Sequence, residues 1–132
     1  MRAIPLLLTA AAMAGCATAP QSAQRSAEAQ AELQQLLAGR VAGPAMTCLP
    51  SYRSGQMVVI DDNTLAFRDG SRVYVNNLRG ACSGLGSGFY TLVTRSFGGG
   101  LCRGDIADVA DPSTGMVYGS CVIGDFVPYA RT

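Results

Sequence analysis

Gln56-Met57-Val58-Val59-Ile60-Asp61-Asp62-Asn63-Thr64-Leu65-Ala66-Phe67-Arg68-Asp69-Gly70-Ser71-Arg72-Val73-Tyr74-Val75-Asn76 reads as three short strands divided by two turns. The runs 56–60, 64–68 and 71–76 are rich in β-branched and aromatic residues, which fit a pleated, half-buried surface. Asp61-Asp62-Asn63 separates the first two runs, and Asp69-Gly70 is the strongest short hairpin signal in the chain. Connections this short join strands only in antiparallel fashion.

The same texture continues on both sides. Residues 89–95, 106–110 and 116–123 are further β-type runs, the last two flanking the turn Asp111-Pro112-Ser113-Thr114-Gly115. Upstream, Met46 to Tyr52 is β-type but contains Pro50, which suits an edge strand or a bulge. About six to seven short strands at this spacing predict a mostly β domain, either a small antiparallel barrel or a two-layer sandwich.

Before the β region, residues 26–39 read as one helix. Leu33, Leu36 and Leu37 share a face, Ser26 is placed to cap the start, and Gly39 stands where a left-handed residue ends a helix. That leucine face is expected to pack on the domain. Residues 16–25 are a tether of Ala, Gln, Ser and Pro without apolar period. Residues 1–15 carry Arg2, then a short apolar run with Leu6-Leu7-Leu8 at its centre, too short to span a bilayer.

Met13-Ala14-Gly15-Cys16 looks like a bacterial lipobox, with Cys16 the lipidated first residue of the processed chain. The segments are therefore a lipoprotein leader (1–15), a lipidated end and tether (16–25), a helix (26–39) and a β-domain (40–132). Acyl chains on Cys16 would hold the protein in a membrane almost permanently. Ala17, rather than Asp, follows the cysteine, so by resemblance to sorted lipoproteins the expected location is the outer membrane, facing the periplasm.

An oxidising compartment gives the other cysteines their meaning. Cys48, Cys82, Cys102 and Cys121 are an even number in a small exported domain, which reads as two disulfides. Of three possible connectivities, Cys82–Cys102 with Cys48–Cys121 is the one favoured here. The former would tie two glycine-rich loops, the latter the first and last strands. No C-x-x-C pair and no His are present, so a zinc site is not expected, nor any other metal or cofactor.

Composition excludes much chemistry. The chain of 132 residues has no His and no Lys, and its ten basic residues face nine acidic ones. The usual general base, Schiff-base lysine and P-loop lysine are all missing. The balanced charge provides no footprint for nucleic acid. Gly80-Ala81-Cys82-Ser83-Gly84 has the shape of a nucleophile elbow but lacks a base, so a turn around a disulfide is the expectation. Gly84 to Gly88 and Gly98-Gly99-Gly100 lead into β-type sequence rather than a helix, and read as loops rich in left-handed residues. Arg103-Gly104-Asp105 is taken as a chance match to an adhesion tripeptide. Asp61, Asp62, Asp105, Asp108 and Asp111 are taken as solvated carboxylates.

The punctuation around Arg40-Val41-Ala42-Gly43, Cys48, Val59 to Leu65, Tyr74 to Leu78, Cys82-Ser83-Gly84-Leu85, Leu101 to Asp105, Cys121 and Gly124-Asp125-Phe126 resembles a family of small proteobacterial lipoproteins and exported proteins. That family is defined only as a domain of unknown function. The likeness runs from Gly39 to Tyr129; it implies an exported domain with structural cysteines and carries over no catalytic residue. The expected function is binding or structural work in the cell envelope, on an envelope protein, peptidoglycan or a small molecule. Arg53, Arg79 and Arg103, with Tyr52, Tyr74 and Tyr90, are the candidate contact residues. The alternatives are a thiol-redox enzyme using Cys82 and Cys102, a hydrolase using Asp61, Asp62 or Asp105, and an inhibitor of a hydrolase that attacks the envelope.

Overall fold

The computed structural model describes residues 25–49, 56–80, 82–96 and 100–132. One helix, α1 (Ala27–Leu37), precedes eight strands: β1 (Arg40–Ala42), β2 (Met57–Asp61), β3 (Thr64–Asp69), β4 (Arg72–Asn77), β5 (Thr91–Arg95), β6 (Ile106–Ala110), β7 (Val117–Val122) and β8 (Phe126–Arg131). They form two antiparallel sheets, one ordered β1-β8-β4-β3-β2 and the other β5-β6-β7. Neither sheet closes on itself, so the layered reading holds over the barrel.

The alternation along β2 to β4 divides the large sheet into two apolar faces. Leu65, Phe67 and Tyr74 point to the main core, shared with Leu92, Ala107, Val109 and Cys121 of the small sheet. Ala66, Val73 and Val75 point the other way, to Ala29 and Leu33 of α1. Leu36 and Leu37 pack on the same side, so the leucine face is spent inside the domain. Ser26 caps the helix by accepting from the N–H of Ala29 at 3.2 Å, and Gly39 takes φ +72° beyond its end. Among the described residues no helix is long and apolar enough to cross a membrane.

The hairpin expected at Asp69-Gly70 is present, and two other expectations are corrected. The β3–β4 hairpin pairs Asp69 with Arg72, so Gly70 and Ser71 make the loop. Gly70 at φ +59° occupies the first central position, as a type II′ turn requires, and Asp69 keeps negative φ. Met46 to Leu49, the described part of the run 46–52, is not an edge strand. Met46 exchanges two hydrogen bonds with Phe126 of the large sheet, after which Thr47 and Leu49 bond to Arg103 and Leu101. The segment is a crossover between layers, and residues 50–52 lie outside the described residues.

The cysteines pair as Cys48–Cys102 and Cys82–Cys121 rather than in the favoured connectivity. Cys121 lies on β7, which is not the last strand. The bonds between Arg79 and Val122 carry the loop after β4 to β7 and set Cys82 beside it. Cys48 faces Cys102 across the short ladder just described. Closing loops of 54 and 39 residues, each bridge stabilises the domain by about 4 kcal/mol in the chain-entropy picture.

Candidate functional site

A solvent-open polar groove of about 1210 Å³ lies between the start of α1 and the β2–β3 turn. Arg25, Glu28, Glu32, Asp61, Asn63 and Asn77 are among its walls. Arg25 organises the inner end. Its Nε lies 3.0 Å from Asp61 Oδ2, while its terminal nitrogens donate to Thr64 Oγ1 at 2.7 Å and Gln30 Oε1 at 3.1 Å. One side chain thus joins the helix entry to two strands of the large sheet.

Asp61 also accepts the N–H of Asn63 at 2.8 Å, fastening the turn. Asp62 reaches the other way, accepting from Gly84 N–H at 3.2 Å and Gly86 N–H at 2.7 Å. The glycine-rich loop therefore has a fixed shape: Leu85–Ser87 is one turn of 3₁₀-helix between left-handed Gly84 and Gly88. Leu85 anchors it in the core at 1% exposure. Position 86 is tight: a Cβ there would come within 3.1 Å of Asp62 Oδ1 and 3.3 Å of the Asp61 Cα, so the turn would have to give by a few tenths of an ångström.

Asp105, Asp108 and Asp111 are also engaged by donors, and Asp108, which is buried, corrects its reading as a solvated group. Asp105 accepts the N–H of Cys102 at 2.8 Å, so the Arg103-Gly104-Asp105 turn is closed by its own carboxylate. Asp108 is 6% exposed, bound by Ser120 and paired with Arg95 at 3.2 Å. Asp111 accepts from the hydroxyl and N–H of Ser113 and the N–H of Thr114. These bonds, the Ser113 hydroxyl first, hold its carboxyl below the ordinary aspartate range.

The candidate contact residues do not converge. Tyr74 is buried in the main core at 2% exposure and offers nothing to a partner. Arg79 is exposed beside the bridge to β7. Arg103 is exposed and pairs with Asp125 at 3.1 Å. Tyr90 is half-buried and packs against Tyr118 in a tilted pair with ring centroids 5.0 Å apart. Tyr52, Arg53 and Cys16 lie outside the described residues. Cys82 and Cys102, named for the redox alternative, belong to different bridges. Among the described residues no three His, Cys, Asp or Glu side chains gather as a metal site would require.

The sequence reading passed over Arg25 and the amides Asn63 and Asn77. Their common signal was proximity to the Asp61-Asp62 turn, which became visible once α1 was docked above it. No protein-family model matches the chain, and no curated protein or solved structure is significantly similar to it.

Proposed function

We propose that the protein is a lipid-anchored component of the bacterial cell envelope that works by binding rather than by catalysis. One observation carries this reading. Of five cysteines in the chain, four are paired with one another, which leaves Cys16, behind Met13-Ala14-Gly15, for acylation. Asp61, Asp62 and Asp105, the carboxylates named for a hydrolase, are engaged in turns and an ion pair, and a chain without His or Lys has few other proton carriers. The groove beside α1 offers amides, carboxylates and one guanidinium, a lining suited to a hydroxyl- and amide-rich ligand such as peptidoglycan.

The test is metabolic labelling with a palmitate analogue in a bacterial host that processes lipoproteins. The wild-type chain is expected to take up label and sediment with membranes, and Cys16→Ser to do neither. Unlabelled wild-type chain would overturn the anchor. Cosedimentation with purified sacculi, compared with Asn77→Arg, then tests the groove as the peptidoglycan contact.

A further inference from the structure

The small sheet ends in an apolar patch that the fold leaves uncovered. Phe89 is 80% exposed, and Met116, Val117 and Tyr118 are 59%, 50% and 56% exposed. They belong together because β5 begins where β6 ends and β7 begins, with Thr91 paired to Ala110 and Ala110 to Val117. Tyr90 packs against Tyr118, its ring tilted, and joins the two halves of the patch.

This patch is tied to the place where the chain arrives from Cys16. Phe89 follows the loop whose Gly84 and Gly86 are held by Asp62. The neighbouring Asp61 is held by Arg25, the first described residue of the domain. Cys16 precedes Arg25 by nine residues, a length of chain that reaches at most about 30 Å when fully extended.

We propose that this end of the domain rests on the lipid bilayer that holds the anchor, with Phe89 and Met116 entering its interface. The proposal builds on the lipoprotein reading and adds an orientation to it. Exposed apolar clusters of this kind mark contact surfaces, and aromatic side chains with polar ends suit the interfacial layer. A short tether puts the patch at an effective concentration near millimolar relative to the bilayer, so weak insertion suffices. The orientation turns the opposite end of the small sheet, with Ile106, towards the periplasm.

The chain contains no Trp, so an introduced one reports alone. The full chain carrying Phe89→Trp is coupled through Cys16 to a maleimide lipid in vesicles of phosphatidylethanolamine and phosphatidylglycerol. This fixes the chain to the bilayer whether or not a cell acylates Cys16, which the palmitate label decides separately. Val41→Trp, on the exposed edge strand β1, is the comparison. We expect a blue-shifted emission and at least twofold stronger quenching by brominated acyl chains for Phe89→Trp, and Met116→Trp to follow it. Equal quenching at positions 89 and 41 would overturn the proposal. So would a blue shift that grows with protein concentration in the absence of vesicles, which would assign the patch to a second copy.

Discussion

Asn76 and Gly124 show how tightly single residues specify this domain. Asn76 is fully buried, donates to the carbonyl of Gly124 at 2.8 Å and accepts its N–H at 2.9 Å. A Cβ at position 124 would lie 2.1 Å from the carbonyl oxygen of Asn77, so only glycine permits the approach. Removing the amide in Asn76→Ala strands a buried donor and acceptor, and should cost about 2–4 kcal/mol in denaturant unfolding. Gly124→Ala should be at least as damaging, because backbone rather than a pliable side chain must yield. Asp111 predicts a pH effect. Its carboxyl is held low in the folded chain, so the stability it adds is present above the unfolded value. That contribution disappears as the pH falls below about 4. The stability difference between wild type and Asp111→Asn should therefore be seen at neutral pH and shrink as the pH falls below about 4; a difference that does not change with pH would contradict the assignment.

At the scale of elements, the large sheet depends on α1 to cover its second face. Leu33 is 8% exposed against Ala66, Val73 and Val75. Leu33→Ala should lower stability by about 2–3 kcal/mol, read from the shift in urea midpoint. The elements that could be read from sequence were those whose signals are local. The helix with its cap and terminal glycine, β2 to β4, and β6, whose bounds coincide with the run 106–110, all carry their own periodicity and turns. β8 was not legible, because Pro128 argues against a strand flanked on both sides. The structure accommodates it at the boundary of the β1 ladder. Pro128 accepts the N–H of Gly43 at 2.7 Å but has no N–H to return, and β1 stops at Ala42. β1 is three residues long, too short for any pattern. The groove was illegible for the opposite reason: Arg25, Asp61 and Thr64 meet only through tertiary packing.

Across the whole molecule, two sheets meet around one core and are joined by two bridges of different character. Cys82 and Cys121 are 0% and 3% exposed, while Cys48 is exposed and Cys102 half-buried. Access governs thiol exchange, so a graded dithiol reductant should open Cys48–Cys102 first, with the fold intact. The buried bridge should open only with unfolding. Simultaneous loss of both bonds, followed by alkylation and mass analysis, would contradict this order. Asp62 and Asp105 fasten turns through backbone N–H groups, and Asp108 ties β6 to β7 through the hydroxyl of Ser120. The most direct test of the account is the intact mass of the chain taken from the envelope, alkylated without reduction and then digested. The account predicts a chain beginning at acylated Cys16, no alkylated thiol, and linked peptides joining Cys48 to Cys102 and Cys82 to Cys121. An unmodified Cys16, or alkylation at any of the other four cysteines, would contradict it.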